Sequence, residues 1–578
     1  MRAPAQTTVE FSEQKRDRLF LQALAVVPED KVPVEFRSKI PPFETGKCAT
    51  MLLAEVRLNF HRFTPKQQTI LNEALARPDH LPNFMISSDG RFKIHYTTDG
   101  FDAVSPTDLN SNQIPDFVEE MASAFENSYQ VEIDDLGYQT PPDDAGRDGA
   151  EYDVYIINLK PQQIYGETRL EDSVPGTPQN DLRGYFVVDN NYDPERYFSG
   201  GVEGAQVTAA HEFYHLVQFG YRDLLYMDEA FYYEFSSIWM EDVVYDDIND
   251  YYQYFLGNNS FFRRRDVPFN SFVRSNFGEA LWNFFLVKKF DKVDLIRRTW
   301  EIMQSNVSAI EAINQSLFEN GSNFRTEFGD FAVWNYFTGR RADPVNFYEE
   351  SAEYPEVKLD GDFSLSADTT VVDSSLSLTH NYYKFTNFTS GDYSIRGDSN
   401  EPENWSARAI IKTPNGDYTL HSFNLVDRKN LGFIPRFSEI VIIPVNTRIL
   451  KQEDLPMMNF IYSTFRFTLT KKAFEPETEQ KITAIYPNPF RIGSADQERI
   501  NFRFNQLNTE DIEVRIINAS GKIVKTVSLD DGTGLLSLSS FSWDGADSDN
   551  QPVASGIYIF QLKQDQRMTL AKFAVIRE

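Results

Sequence analysis

Residues 208–221 read Thr208-Ala209-Ala210-His211-Glu212-Phe213-Tyr214-His215-Leu216-Val217-Gln218-Phe219-Gly220-Tyr221. The stretch reads as a helix, and it decides the fold. On a helix, His211 and His215 stand four residues apart on one face, so their imidazoles can clasp one metal ion. Glu212 sits beside the first histidine and points at whatever the metal holds. This H-E-x-x-H arrangement is the machinery of zinc-assisted hydrolysis. The chain has only 7 histidines in 578 residues, so chance is a weak explanation for the pairing. The competing reading is a helix whose histidines are satisfied by hydrogen bonds alone.

Zinc needs a third protein ligand and an open position for water. The acidic residues of the segment 228–242 are the candidates. Glu234 follows His215 at a spacing that lets a loop and one helical turn return a carboxylate over the first helix. Asp228 is expected to cap this second helix. Glu229 competes as a ligand, but it lies in the first turn, where acidic residues complement the helix dipole. Glu241, two turns past Glu234 and near the same face, is placed to hydrogen-bond the site from behind. A hydrolase also needs a donor for the oxyanion. Tyr226, between the two helices, is the first candidate and Tyr221 the second.

H-E-x-x-H followed by Glu after 18 residues is the gluzincin pattern of zinc peptidases. The text of residues 208–221, of Glu234-Phe235-Ser236-Ser237-Ile238-Trp239-Met240-Glu241-Asp242 and of Trp334-Asn335-Tyr336-Phe337-Thr338-Gly339-Arg340 resembles, more narrowly, a family of secreted bacterial metalloproteases named after a myxobacterial locus. The similarity spans residues 33–355. It implies His211, His215 and Glu234 as zinc ligands, Glu212 as the base, and a protein or peptide substrate. Such proteins carry Glu-Gly-Thr-Ala where this chain has Glu234-Phe235-Ser236-Ser237, so the ligand is kept and a narrower cleft is expected.

A second metal is expected upstream. Residues 108–119 fit the twelve-position calcium loop, with oxygen donors from Asp108, Asn110, Asn112, Asp116 and Glu119 at positions 1, 3, 5, 9 and 12. The Ile114 carbonyl supplies position 7. Gln113 stands where a glycine normally makes the sharp turn. The alternative is a polar turn before a helix.

The single cysteine, Cys48, rules out a disulfide framework and any Cys-rich metal site. A thiolate there is able to fill the open zinc position and hold the enzyme latent, with Lys47 favouring the charged form. The plainer reading is a small buried hydrophobe.

The balance of 56 basic against 86 acidic residues gives a net charge of −30, which argues against a nucleic-acid partner. No run of 18 apolar residues exists, so no transmembrane helix is expected. Phe92 to Tyr96 and Tyr152 to Ile157 read as strands; Pro65 to Leu75, capped by Thr64, and Ile114 to Leu136 read as helices. From Val202 to Arg340 the text is mainly helical, with aromatic residues at core spacing. Tyr393 to Ile395 and Glu439 to Ile443 begin a strand-rich region, closed by an acidic linker at residues 474–480.

The tail carries Ile485-Tyr486-Pro487-Asn488-Pro489-Phe490, Trp543-Asp544-Gly545 and short strands with Gly turns. It reads as a small β-sandwich and resembles the C-terminal sorting domain of type IX secretion cargo. That resemblance implies the type IX machinery as a partner, a secreted or cell-surface location, and an export signal upstream of the given start. The alternative is an ordinary Ig-like accessory domain.

The expected fold class is multidomain α+β: a zincin-like catalytic domain built of a small sheet plus active-site helices, then one β-rich domain and a C-terminal Ig-like β-sandwich. The expected boundaries are a pro-region-like segment at 1–85, the metallopeptidase domain at 86–345, the β-rich domain at 346–473 and the tail domain at 481–578. The cofactors expected are Zn2+ and Ca2+, in a monomer. The runner-up function is a zincin-like scaffold that binds a surface polymer or protein without cutting it. A hydrolase of a non-peptide bond is the third reading.

Overall fold

The computed structural model describes residues 12–42, 47–177, 181–224, 227–258, 260–264, 266–365, 367–449, 462–471, 482–494, 497–505, 512–528, 536–537, 539–564 and 567–577. The linker read at residues 474–480 lies outside them. The chain forms two compact units. The first holds residues 1–361, 375–382 and 443–463; the second holds residues 362–374, 383–442 and 464–578.

The first unit opens with helices α1 (Glu13–Ala25), α2 (Val34–Arg37), α3 (Thr50–Leu58) and α4 (Pro65–Ala74). Helix α4 begins as its sequence predicts. Thr64 and Gln67 bond each other reciprocally in a capping box, and Pro65 occupies the first turn. Leu19, Phe20, Leu24, Val56, Phe63 and Leu71 meet in a core that belongs to these helices.

A five-stranded mixed sheet follows: β1 (Asn83–Ile86), β2 (Phe92–Tyr96), β3 (Tyr152–Ile157), β4 (Gly166–Ser173) and β5 (Leu182–Asp189), in the spatial order β1-β2-β3-β5-β4. Strands β2, β3 and β5 are parallel, while β1 and β4 run antiparallel at the two edges. Alternation along the strands gives each face its own partner. Phe92 and Phe186 turn to one side and pack on Phe125 and Phe213. Those two rings come from α5 (Asp116–Tyr129) and α6 (Gly201–Tyr221). Tyr155, Tyr185 and Val187 turn to the other side and meet Val26, Ala49 and Leu53.

Helix α7 (Ala230–Val244) packs on α6, and α8 (Leu281–Phe290), α9 (Asp294–Met303), α10 (Ala309–Glu319) and α11 (Phe324–Tyr336) complete the helical part. Phe277, Trp282, Phe285, Trp300, Phe331 and Trp334 are all buried, as their helical spacing predicts. Asp228 does not cap α7. It lies in a 3-10 turn, Met227–Glu229, that runs straight into the helix, and the N-cap residue is Glu229 with helical dihedrals and no side-chain cap bond. With no extended residue before the helix, a capping side chain has no route back to the free N–H groups.

The second unit is β-rich. Trp405, Phe385, Phe465, Phe467, Ile440 and Ile442 lie in one core of its strands. Toward the C-terminus, Ile482–Tyr486, Ile500–Phe504 and Ser540–Trp543 make a three-stranded sheet. Phe490–Ile492, Ile512–Asn518, Ile523–Ser528, Gly556–Gln564 and Arg567–Arg577 make a five-stranded one. Phe502, Trp543, Phe560 and Phe573 share one core. No helix among the described residues is long and apolar enough to cross a membrane.

Candidate metal centre

Helix α6 is buried from Ala205 onward apart from Gln206. The edge strand β4 approaches it closely at Gly166, where a Cβ would stand 2.7 Å from Thr208 Cγ2 and 3.2 Å from Glu212 Cγ. Glycine is therefore what allows strand and helix to touch at Glu212.

His211 and His215 present their rings to one point, with centroids 4.7 Å apart. Helix α7 brings the Glu234 carboxylate between them: Oε2 is 3.6 Å from His211 Nε2, and Oε1 is 3.6 Å from His215 Nε2. Cys48 completes the group. Its sulfur, the two imidazoles and Glu234 each offer one donor atom, all within 4.8 Å of one another and all buried.

The donors fit zinc on three observations. His211 Nε2, His215 Nε2 and Glu234 Oε1 are buried without a hydrogen-bond partner, and orphaned polar atoms cost about 1–3 kcal/mol each. Two ligands about 2.0–2.1 Å from one tetrahedral ion stand about 3.4 Å apart, close to the separations seen. Imidazole, carboxylate and thiolate are all zinc donors, and one carboxylate with one thiolate balances a divalent charge.

The outer nitrogens are held in turn. His211 Nδ1 lies 2.6 Å from Glu241 Oε1, and His215 Nδ1 lies 2.9 Å from Gln218 Oε1 and 3.2 Å from Ser237 Oγ. Such partners fix the tautomer so that Nε2 faces inward. Burial, followed by the neighbouring His215, pulls the His211 pKa down to about 3, which keeps it neutral. Burial also works against charge on His215, but the facing Glu234 outweighs it and raises the pKa.

Lys47 does not serve Cys48 as the sequence reading expected. Its Nζ lies 2.5 Å from both Glu241 Oε2 and Asp250 Oδ2. Burial opposes the ammonium charge, and Asp250 and Glu241 overcome it, so its pKa is raised. Burial and then the Glu212 and Glu234 carboxylates push the Cys48 thiol up.

Glu212, the expected base, is buried. Its Oε2 accepts from Thr50 Oγ1 at 2.9 Å and from Thr168 Oγ1 at 2.8 Å. Sequence reasoning missed both threonines, and no local pattern marks them. Gln218 was findable, because it stands one helical turn after His215.

The other expected residues separate. Glu229 is held by Arg222, and burial raises its pKa to about 7. Tyr221 lies about 9 Å along the helix axis from His215, and its hydroxyl accepts from Gln139 N at 3.1 Å. That bond commits the Tyr221 hydroxyl to the Gln139 backbone. Tyr226 lies outside the described residues.

The segment 108–119 is exposed over residues 109–113, runs into the first turn of α5 at Asp116, and is internally bonded. Asp108 accepts from Asn112 N and Gln113 N, Asn110 Oδ1 from Asn112 N, and Asn112 Oδ1 from Ile114 N, at 2.8–3.2 Å. Asp116 accepts from Leu109 N at 3.0 Å, and Glu119 accepts from the Asn110 and Asn112 amides at 2.8 and 2.7 Å. Gln113 has φ 73°, the left-handed conformation that the usual glycine adopts freely.

Comparison with known proteins covers part of this architecture. Residues 491–567 match the family model of the FlgD Ig-like domain. The C-terminal domain is Ig-like. No curated protein matches the chain. Among solved structures, PorZ, a surface component of the type IX secretion system of Porphyromonas gingivalis, is 21% identical over 19% of this chain and 14% of its own, with a TM-score of 0.14. The chain thus spans about one seventh of that protein's length. A periplasmic inhibitor of g-type lysozyme from Escherichia coli is 10% identical over 19% of this chain and 98% of its own, TM-score 0.13. A Faecalibacterium prausnitzii β-glucuronidase is 9% identical over 36% of this chain and 37% of its own, TM-score 0.12.

Proposed function

We propose that the first unit is a zinc-dependent endopeptidase whose zincin-like domain occupies residues 86–345. The observation that carries this reading is the convergence of partnerless His211 Nε2, His215 Nε2 and Glu234 Oε1 on one buried point beside Glu212. His211, His215 and Glu234 would hold the ion. Bound there, zinc supplies a water acidified to a pKa of about 7 and a Lewis acid for the scissile carbonyl.

The chain's own groups do the rest. Glu212 takes the water proton and returns it to the leaving amine. Thr168 Oγ1 lies 2.8 Å from both Glu212 Oε2 and the Glu212 backbone carbonyl, so its single proton is shared between them and holds the carboxylate against β4. Glu241 and Gln218 hold the imidazoles in the tautomer that faces the ion. Glu212 itself favours an enzyme over a scaffold, since a purely structural metal site needs no base. Casein hydrolysis by the zinc-loaded chain, lost in Glu212→Gln while bound zinc remains, is the expected result. Full hydrolysis by that variant would refute the mechanism.

A second reading has its own support. With Cys48 counted, four protein donors surround the point, and a closed set of four is the mark of structural zinc. The chain would then be a zincin-like scaffold that binds without cutting.

Two further assignments belong to this proposal. Residues 108–119 hold calcium, supported by the ordered oxygen donors and the left-handed Gln113. The Ig-like tail, from residue 481, is a type IX sorting domain that sends the protein to the cell surface or medium, supported by its motif text and its domain type.

A further inference from the structure

Cys48 does not reach the donor cluster alone. Lys47 O accepts from Tyr165 N at 2.6 Å, Cys48 bridges Gly166 in parallel, and Thr50 Oγ1 accepts from Thr168 N at 2.7 Å. Residues 47–50 thus run along the outer edge of β4. An open strand edge beside a hydrolytic centre is where an extended peptide docks through main-chain bonds. Here the chain's own segment lies on that edge.

Its side chains take three separate positions in the site. The Cys48 sulfur stands in the four-donor cluster, Thr50 donates to Glu212, and Lys47 holds the carboxylate behind His211. The two partnerless imidazole nitrogens, both buried, point independently to a ligand at the place Cys48 faces.

The part of the chain that delivers this segment has its own packing. Helices α1 to α4 share a core of their own, which Leu52 and Leu75 join to the core under the sheet. They meet the rest through Val26, Ala49 and Leu53, through the Arg57–Asp223 ion pair at 2.8 Å, and through bonds donated by Gln162 Nε2 to Val27 O at 3.0 Å and by the Tyr185 hydroxyl to Leu75 O at 2.9 Å. Just past α4, Arg77 pairs with Asp144 at 3.1 Å, Asp153 at 2.5 Å and Glu171 at 2.9 Å, contacts that the cut fragment must also release. The connection to β1 has no regular structure over residues 77–82, and Asp79, His80 and Pro82 are exposed.

We propose that residues 12–76 are a built-in inhibitor of the metal centre, that Cys48 and Thr50 plug the ligand position and the base, and that hydrolysis of the chain within residues 79–82 activates the enzyme. The inference rests on the peptidase reading above. Activation consumes one peptide bond and one water; the sulfur then gives up its position to solvent, with no change of oxidation state.

The test uses the full chain with a specific protease site placed in residues 79–82, loaded with Co2+ in place of zinc. A sulfur-to-cobalt charge-transfer band is expected in the intact protein, absent in Cys48→Ala and lost after cutting and separation of the fragment. With zinc, casein hydrolysis is expected to rise about tenfold or more on cutting, as a tethered plug at high effective concentration is removed. Bound cobalt without the sulfur band in the intact chain would overturn the plug and leave the peptidase reading standing. A band that survives cutting would make Cys48 a permanent ligand and overturn the inhibitor. Loss of the band without gain of hydrolysis would overturn the peptidase reading and the inhibitory role with it.

Discussion

Glu241→Gln separates what the carboxylate does for the metal from what it does for the fold. Glu241 Oε1 is 2.6 Å from His211 Nδ1, and Oε2 is 2.5 Å from Lys47 Nζ. Losing an anionic partner behind a ligating imidazole costs about 10–100-fold in metal affinity, or about 1.4–2.8 kcal/mol. The amide keeps an oxygen for one of the two contacts, and Lys47 keeps Asp250 at 2.5 Å, so stability should fall by only about 1–3 kcal/mol. Glu241→Ala removes both contacts and leaves a buried ammonium with half its compensation, which should cost about 3–5 kcal/mol. Zinc affinity by chelator competition and urea unfolding of the metal-free chains measure the two terms separately. Wild-type zinc affinity in a folded Glu241→Gln chain would refute the reasoning, leaving the carboxylate as a counter-ion for Lys47 only.

Three other perturbations follow from the geometry. Gly166→Ala places a Cβ 2.7 Å from Thr208 Cγ2 and 3.2 Å from Glu212 Cγ. It should destabilise the chain by about 1–3 kcal/mol in urea unfolding and lower kcat by displacing the base. Gln113→Gly relieves a left-handed residue at φ 73° and should raise the Tm and tighten calcium binding by calorimetry, whereas Asp108→Ala should abolish that calcium response. Asp242 is buried, its Oδ1 has no partner, and burial followed by Glu350 and Asp246 raises its pKa from 3.8 to about 8. A raised carboxyl stabilises the fold in its protonated form, fully below the unfolded value, and that contribution is lost as pH rises through about 8. The Tm advantage of Asp242→Asn over wild type should therefore grow between pH 4 and 8; a constant difference would contradict the assignment.

The parts of the site that were legible in the sequence are those governed by helical periodicity. His211 and His215 share a face because they are four residues apart. Glu241 lies seven residues, or two turns, beyond Glu234, which is why α7 offers one carboxylate to the front of His211 and the other to its back. The same rule marks Gln218 after His215. The contacts of Thr50, Thr168 and Asp250 come from register between β4, the segment before α3 and the turn after α7, and no spacing encodes such register. Helix α1 was hidden for a related reason: its charged text leaves only Leu19, Phe20, Ala23 and Leu24 buried, and their value appears only once α3 and α4 cover them. The expected capping role of Asp228 failed because a 3-10 turn leads into α7 without an extended residue. In the tail, alternating strands and Gly turns were enough to mark the Ig-like domain, because strand periodicity is local.

The central claim is that Cys48, His211, His215 and Glu234 surround one zinc ion. X-ray absorption at the zinc edge of the intact, zinc-loaded chain tests it most directly. Four-coordinate zinc is predicted, with one sulfur at about 2.3 Å and three nitrogen or oxygen neighbours at about 2.0–2.2 Å. Six-coordinate zinc with oxygen neighbours and no imidazole scattering, or a chain that retains no zinc, would contradict the account.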